Sequence, residues 1–273
     1  MSGSLPQGYL TILCQLALVV CLVAGHGMVL EPIARGSRWR CNSKAPANYD
    51  DNGLYCGGYY VQWQQNGGKC GMCGDNYADA TPRLHELGGP FGQGEIVRNF
   101  TMGAAIEVKV TITVNHRGHF VFNICDLDNN LLESEECYAQ YQLLDTEGRR
   151  EWYLNSTSAG TYLVNLQLPP YLVCEHCVLQ WTYVAGNNWG YCADGTGRLG
   201  CGPQENFRTC SDIGIYDPTD DRLNDSYSYC KTSPRSLNGI YDNIPEEHDV
   251  AAPEMPTSVQ AQEPETNNEI PVE

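Results

Sequence analysis

The sequence predicts an all-β sandwich with a large disulfide-stapled loop region. Apolar residues recur with a period of two along much of the chain, whereas few stretches show the periodicity of an amphipathic helix. Residues 41–100 differ from the rest because Gly, Cys, Tyr and Asn are frequent there, which is typical of long loops with short helical turns. Short strands joined by frequent turns favour two packed β-sheets.

The strongest strand signal lies in residues 106–114, where every second residue is a branched apolar one and the intervening residues are polar. The alternation resumes at residues 120–124 after a His-Arg-Gly-His segment, which we interpret as the turn of a hairpin. Two further runs, residues 162–168 and 179–183, predict additional strands.

Residues 1–25 resemble a signal peptide that is removed from the mature protein. Their apolar run, Leu10 to Val23, is short for a membrane span, and the small residues Ala24 and Gly25 precede the expected cut. Residues 1–9 contain no Lys or Arg, which departs from the usual pattern. We therefore expect the mature chain to begin at His26. An uncleaved anchor, the alternative, would leave that residue without a free amine.

Cleavage there would leave 12 of the 14 cysteines, an even number that indicates a disulfide framework in a secreted chain, without specifying its connectivity. Two Cys-x-x-Cys pairs, 70–73 and 174–177, raise zinc-site and thiol-redox alternatives, but pairs so far apart in a secreted chain favour disulfides. Three sequons agree with a secreted glycoprotein, at Asn99, Asn155 and Asn224.

The formal net charge of −17 is concentrated towards the end of the chain. Residues 245–273 hold 8 acidic residues and neither Lys nor Arg, so they predict a disordered acidic tail that follows a single domain over residues 26–244. The negative charge disfavours nucleic acid and anionic membranes as partners. A neutral polysaccharide is compatible with it.

A histidine at the first position of a mature chain combines two metal-binding nitrogens in one residue. Its α-amine, with an ordinary pKa of about 7.7–8, loses its proton easily, and the amine and the ring Nδ1 then chelate one ion. A third nitrogen from another histidine would complete a near-planar set, which favours Cu(II). The alternative is that His26 is merely the residue that follows the cut.

His116 is the best candidate for that third nitrogen. It continues the parity of the apolar strand face that ends at Val114, so we expect it to leave the end of a buried strand, which is a rigid base for a ligand. His119 lies across the turn and need not share this direction. A zinc site on these two histidines is disfavoured because no carboxylate or thiolate is in register. His85 lies in an Arg-Leu-His-Glu loop segment, and we interpret it as a surface histidine.

Five segments together resemble the lytic polysaccharide monooxygenases, most closely their animal branch, auxiliary activity family fifteen, with its chitin-binding type-4-like domain. Each segment is modest alone, but their order behind the N-terminal histidine is specific, and the resemblance covers residues 26–216. It implies an immunoglobulin-like or fibronectin-III-like β-sandwich with an exposed copper site. The segments are 26–39 (beginning His-Gly-Met-Val-Leu-Glu-Pro), 66–75 (Asn-Gly-Gly-Lys-Cys-Gly-Met-Cys-Gly-Asp), 115–120 (Asn-His-Arg-Gly-His-Phe), 187–192 (Asn-Asn-Trp-Gly-Tyr-Cys) and 200–212 (Gly-Cys-Gly-Pro-Gln-Glu-Asn-Phe-Arg-Thr-Cys-Ser-Asp).

The resemblance also implies the residues of that site. His26, through its amine and ring, and His116 would bind one copper ion. Phe207 matches the aromatic residue beside the axial position of the metal, but it has no hydroxyl and would shield that position without binding. Many relatives carry a small Ala at the position of Val114. The larger Val114 would narrow the oxygen-binding pocket.

Further residues are implied around the copper. Gln204 or Glu205 matches the polar group that orients the oxygen co-substrate, and the sequence leaves both open. Aromatic residues of the loop region would stack on sugar faces, although several of them are equally suited to packing against disulfides. These are Tyr49, Tyr55, Tyr59, Tyr60 and Trp63.

The implied activity is copper-dependent oxidative cleavage of β-1,4-linked polysaccharide, chitin first and cellulose second. It would use one copper ion per chain, an external electron donor, and dioxygen or hydrogen peroxide. We expect a secreted monomer whose partner is insoluble polysaccharide, with no nucleic-acid partner and no membrane partner after signal cleavage. A glycoside hydrolase is disfavoured because no motif places its two carboxylates. The other alternative is a non-catalytic chitin-binding or copper-handling protein on the same scaffold.

Overall fold

Two β-sheets packed face to face make up the body of the computed structural model, which describes residues 26–223 and 229–230. The all-β prediction is confirmed. The expected signal peptide, the sequon at Asn224 and the acidic tail lie outside the described residues and stay predictions. Within the described part of the chain, no helix has both the length and the apolar character needed to cross a bilayer.

The strands divide between the sheets as follows. The first sheet has the order β1 (His26–Glu31), β3 (Ala105–Val114), β8 (Gly160–Gln167) and β6 (Leu144–Asp145). The second has the order β2 (Arg98–Thr101), β12 (Asn206–Tyr216), β9 (Cys174–Val184), β4 (His119–Asp126) and β5 (Tyr141–Gln142), with β7 (Trp152–Tyr153) also paired to β4. A separate hairpin joins β10 (Trp189–Tyr191) to β11 (Gly197–Leu199).

Helical structure is short and lies in the connections. One α-helix, α1, spans Glu135–Tyr138, and Ser134 caps it by accepting a hydrogen bond from the Cys137 backbone. A π-helical turn at Val61–Gln65 and two 3₁₀ turns at Arg35–Arg40 and Asp221–Leu223 complete the helical elements of the described residues.

The core lies between the two sheets. Val108, Val110 and Ile112 on β3 are fully buried, as the period-2 pattern predicts, and across from them lie the rings of Phe120 and Trp181. Burial of each such side chain contributes about 1.5–3 kcal/mol relative to exposure, so the sandwich is held mainly by these facing apolar rows.

The hairpin prediction for residues 106–124 is wrong. β3 pairs with β1 and β8, whereas β4 pairs with β9, β5 and β7, so the two strands belong to opposite sheets. The apolar rows of β3 and β4 face each other across the core instead of lying side by side. Alternation shows that one face of each strand is buried, but it does not distinguish a neighbour in the same sheet from one in the facing sheet.

All twelve cysteines from Cys41 to Cys230 form disulfides, which confirms the predicted framework. Cys70 pairs with Cys56 and Cys73 with Cys210, so the first Cys-x-x-Cys pair is divided between two bridges, whereas Cys174 bonds directly to Cys177. Two side-chain groupings with metal-like spacing occur among the described residues, around Cys73–Cys210 and around Cys174–Cys177. Their sulfurs are consumed in these bridges, so neither provides the thiolates of a zinc site. The remaining bridges are Cys41–Cys230, Cys125–Cys137 and Cys192–Cys201.

A buried ion-pair network joins the 3₁₀ turn after β1 to β12. The Arg35 guanidinium donates two hydrogen bonds to the carboxylate of Asp212, at 2.8 and 2.6 Å, and lies 2.7 Å from Glu133. The ring of His176 contacts the same Asp212 carboxylate at 2.8 Å. Burial raises the pKa of Asp212, but the hydrogen bonds and positive charge of Arg35 outweigh it and lower that pKa to about 2.

Removal of this carboxylate should destabilise the fold in a pH-dependent way. We expect Asp212→Asn to lower the free energy of unfolding at pH 7 by about 3 kcal/mol, because Arg35 then loses a buried partner. The carboxyl pKa of Asp212 is lower in the folded chain than its unfolded value of about 3.9, so the ionised carboxylate stabilises the fold fully above that pH. The difference in unfolding free energy between the variant and the wild type should therefore shrink as the pH falls towards 2. Urea denaturation at several pH values measures it. Asp79→Asn, an exposed control, should show no such trend, and a pH-independent difference for Asp212→Asn would contradict the network.

Candidate functional site

Two of the predicted site residues meet at one end of the first sheet. His26 is the first residue of β1 and lies opposite Val114, the last residue of β3, in the antiparallel register. His116 follows Val114 by two residues. Because paired residues of neighbouring antiparallel strands have Cα atoms about 4.5–5.5 Å apart, this register brings His26 next to the segment that carries His116.

His116 is held by the second sheet, although its strand belongs to the first. β3 ends at Val114, so His116 lies in the connection between the sheets. Its backbone N–H donates a hydrogen bond to the hydroxyl of Tyr183 at 2.8 Å, and its carbonyl accepts one from the backbone of Gly186 at 2.9 Å. Strand parity correctly predicts a buried position, but the rigid base is provided by these two bonds.

The imidazole of His116 has the protonation state and surroundings of a metal ligand. Its side chain is 8% exposed, and Nδ1 has no hydrogen-bond partner among the described residues, although a carboxylate oxygen of Glu205 lies 3.9 Å away. Burial lowers the pKa of His116, and the neighbouring charge of His26 lowers it further. The ring is therefore neutral at pH 7, which is the form that binds a metal. The donor set fits a copper ion.

Phe207 is connected to His116 through Tyr183. It is fully buried on β12, paired in register with Tyr183 on β9, and its ring stacks on that of Tyr183 with centroids 5.6 Å apart. Tyr183 therefore packs on the predicted axial residue and also bonds to the backbone of His116. Sequence reasoning identified Tyr183 only as a strand residue, because nothing in a single sequence shows which strand end faces the connection. Val114 is half-buried at the end of β3.

The side chains of Gln204 and Glu205 have different positions. The Gln204 amide accepts a hydrogen bond from the Asn188 backbone at 3.0 Å and donates to the carbonyls of Asn188 and Cys201 at 3.0 and 2.8 Å. These bonds close the loop that carries the β10–β11 hairpin. Glu205 directs its carboxylate to His116. Of the two alternatives, the structure brings only Glu205 to the candidate site.

The predicted sugar-stacking residues do not form one uniform surface. Tyr49 and Tyr60 are 84% and 65% exposed, whereas the other three are half-buried. Trp63 donates its indole N–H to the carbonyl of Gln204 at 2.8 Å, and the ring of Tyr55 packs 6.3 Å from that of Phe207. Tyr59 is the third half-buried residue.

An exposed aromatic pair on the β10–β11 hairpin was missed. Trp189 and Tyr191 are 58% and 69% exposed, with ring centroids 5.1 Å apart, and Leu199 opposite Trp189 is 62% exposed. The hairpin begins just after Gly186, which bonds to His116, so this apolar surface starts beside the candidate site. The alternating Trp-Gly-Tyr of residues 189–191 was the available signal for a strand that exposes its aromatic residues on one face.

The surface interpretation of His85 is wrong. Its side chain is buried, Nδ1 lies 2.7 Å from the Asp75 carboxylate, and the ring stacks on Phe91. A loop of this length has its own interior, and His85 is one of the polar residues that hold it together. His119 contacts Tyr153 and Glu151 on the β7 side.

Two comparisons with known proteins show the family of this chain. The family model described as lytic polysaccharide mono-oxygenase, cellulose-degrading, matches residues 26–213. The chain belongs to the lytic polysaccharide monooxygenase family. A solved structure of an AA15 lytic polysaccharide monooxygenase from Thermobia domestica, in the Cu(I) state, matches with 44% sequence identity and a TM-score of 0.67, covering 70% of this chain and 98% of that one. No protein with a curated description matches significantly.

This lytic polysaccharide monooxygenase is therefore a copper-dependent polysaccharide-oxidising enzyme of the AA15 type. The family match begins at His26, the residue at which the candidate site begins. The implied β-sandwich is confirmed as well, since the chain matches the AA15 structure and its strands form two packed sheets.

The bond between Tyr183 and His116 gives a testable prediction. Tyr183→Phe removes the hydroxyl and leaves a buried backbone N–H unpaired, so we expect the free energy of unfolding to fall by about 1–3 kcal/mol. Hydrogen exchange of the His116 amide should accelerate, because that bond protects it. Tyr216→Phe, at the far end of β12, is the control. Unchanged His116 exchange in Tyr183→Phe would show that this bond does not hold the connection.

Proposed function

We propose that the protein is a secreted enzyme that oxidatively cleaves β-1,4-linked chitin, with its copper bound by His26 and His116. The observation that carries the proposal is the β1–β3 register, in which His26 lies opposite Val114 and beside the connection that holds His116. After cleavage behind Gly25, the amine and ring of His26 and the ring of His116 would provide three nitrogens to one ion.

Copper in this setting supplies one-electron redox chemistry, with an external donor as the source of electrons and dioxygen or hydrogen peroxide as the co-substrate. The protein's own residues position the reactants and shield the site from water. Phe207, buried and without a hydroxyl, would present an apolar ring to the bound copper and keep water away from it. Val114 restricts space at the end of β3.

We assign to Glu205 the orientation of the oxygen co-substrate. Its carboxylate lies 3.9 Å from His116 Nδ1, and the side chain is 13% exposed, so it is poised at the boundary between site and solvent. A carboxyl group in this position accepts or donates a hydrogen bond as its protonation state changes. Gln204 is assigned an indirect part, because its amide bonds fix the backbone from which Glu205 extends.

The proposed substrate surface is exposed and aromatic. Trp189 and Tyr191, together with the exposed Tyr49 and Tyr60, offer ring faces on which sugar rings stack. An insoluble chain cannot enter a closed pocket, so an exposed site beside such rings suits it. Cellulose, which the description of the matching family names, is the second substrate to test.

Secretion as a monomeric glycoprotein is part of the proposal. The paired cysteines agree with an oxidising compartment. Asn155 is exposed in the loop before β8, as a glycan acceptor must be. Asn99 is less suited, because its amide nitrogen donates to the carbonyl of Arg222 at 3.2 Å and its Oδ1 is buried.

The copper assignment predicts two separate losses. We expect His116→Ala to abolish oxidised products from chitin and to weaken copper binding, because one of three nitrogens is removed. A variant with one extra Gly ahead of His26 should behave similarly, since the free amine then belongs to another residue. Product mass spectrometry with and without ascorbate, together with copper titration by calorimetry, measures both.

His176→Gln, which removes an imidazole remote from this end of the sheets and keeps a hydrogen-bond donor for Asp212, is the matched control and should retain activity. Full oxidation by His116→Ala would contradict the copper assignment. Chitin binding by the wild type without any reductant-dependent product would contradict the proposed activity, and product from cellulose alone would correct the substrate.

The aromatic hairpin predicts a loss of binding without a loss of copper. We expect the double variant Trp189→Ala, Tyr191→Ala to bind insoluble chitin about tenfold more weakly or worse, because each stacked ring is worth roughly 0.5–1.5 kcal/mol. Copper affinity should be unchanged. Depletion assays measure the binding, and Tyr171→Ala, 91% exposed before the opposite end of β9, is the control. Equal binding by the double variant would remove this hairpin from the substrate surface.

A further inference from the structure

Arg117 has an unfavourable backbone conformation directly after His116. Its φ of 57° lies in the left-handed region, where residues with a Cβ are uncommon and Gly or Asn is preferred. Among the described residues, the other non-glycine residue with positive φ is Cys56, whose disulfide with Cys70 explains its identity. Arg117 has no such bond, so its side chain requires another explanation.

The fold does not use the guanidinium of Arg117. The residue is exposed, and within residues 26–223 and 229–230 its side chain forms no ion pair, hydrogen bond or ring contact. Its backbone N–H donates to the Asn115 side chain at 2.7 Å, a bond that any residue except proline would make. A strained position that keeps an exposed side chain without stabilising contacts indicates a functional role.

The charge of this side chain indicates the chemistry of its partner. A neutral sugar would be served by Asn, which forms hydrogen bonds and tolerates the left-handed conformation. An anionic partner, by contrast, is attracted by the positive charge itself. The chain carries a net charge of −17, and Glu205 lies near His116 while Glu151 lies near His119, so anions are otherwise repelled from this end of the molecule.

We propose that Arg117 docks an anionic electron donor, an ionised enediol, beside the copper. This inference rests on the proposed function, which requires an external donor and places the metal on the neighbouring His116. The donor monoanion would give one electron to the Cu(II) that His26 and His116 would hold, lose one proton to water and leave as a radical anion, with the copper then at the Cu(I) level. The guanidinium raises the local concentration of the donor and remains unchanged.

The test compares an anionic and a neutral reductant on the copper-loaded enzyme without polysaccharide. Stopped-flow reduction by ascorbate at low ionic strength should be about fivefold slower in Arg117→Gly than in the wild type. Reduction by neutral hydroquinone should be unchanged. Arg117→Lys should retain most of the ascorbate rate. Since Gly favours this backbone conformation, Arg117→Gly should fold, and its melting temperature checks this.

A second measurement uses the metal-free protein. Ascorbate should shift the NMR signal of the Arg117 side chain in the wild type, and its apparent affinity should fall as salt is added. Arg222→Gln is the matched control, because it removes the same charge at the end of β12 remote from His116, about 30 Å away. This control should leave the ascorbate rate unchanged.

Equal ascorbate rates for wild type and Arg117→Gly would overturn the proposal, as would equal slowing with both reductants. Loss of chitin binding in Arg117→Gly at an unchanged ascorbate rate would instead identify a polysaccharide contact. Failure of the proposed function is distinguishable, because it would appear in the wild type as absent oxidised products or absent copper binding. The titration of the metal-free protein still tests donor docking in that case.

Discussion

Residues 115–118 carry the chain from one sheet to the other, and the position of His116 depends on how this short connection is made. At Gly118 the backbone passes so close to β9 that a Cβ would lie 2.0 Å from the carbonyl oxygen of Val184. Glycine is therefore required there, with a φ of 83°. This close approach allows the Tyr183 hydroxyl and the Gly186 N–H to form hydrogen bonds with the backbone of His116. The side chain of His116 is therefore held in place although it lies in a connecting segment and not on a strand.

The same connection determines what else can reach the site. Because β3 ends beside the start of β1, the residue exposed by the expected cleavage, His26, lies next to it. On the other side, β9 leads into the loop that Gln204 closes, and the next residue, Glu205, faces His116. The nitrogens that we propose for copper, the neighbouring carboxylate and the aromatic hairpin thus come from three separate parts of the chain that meet at one end of the sandwich.

The rest of the molecule stabilises this end from a distance. The long loop between β1 and β2 has little regular structure, and it is held to β12 by the Cys73–Cys210 disulfide and by the buried pair of Arg35 and Asp212. A disulfide that closes so long a loop removes much entropy from the unfolded chain. The buried ion pair holds the start of the loop against β12, and the disulfide holds its middle.

Sequence patterns by themselves determined the all-β class, most of the long strands, the even set of paired cysteines and the pair of histidines that we propose for copper. These depend on local periodicity, on residue type and on the order of motifs, all of which can be read along one chain. Which sheet receives β4, which of Gln204 and Glu205 reaches His116, and that His85 is buried were decided only by the tertiary structure. Alternation shows that a strand has one buried face, but it does not show which strands that face packs against. Adjacent polar residues differ in role only through their contacts with segments distant in sequence. The positive φ of Arg117 was also decided only by the tertiary structure. This backbone angle follows from the crossing of the chain between the two sheets and not from the type of residue at position 117.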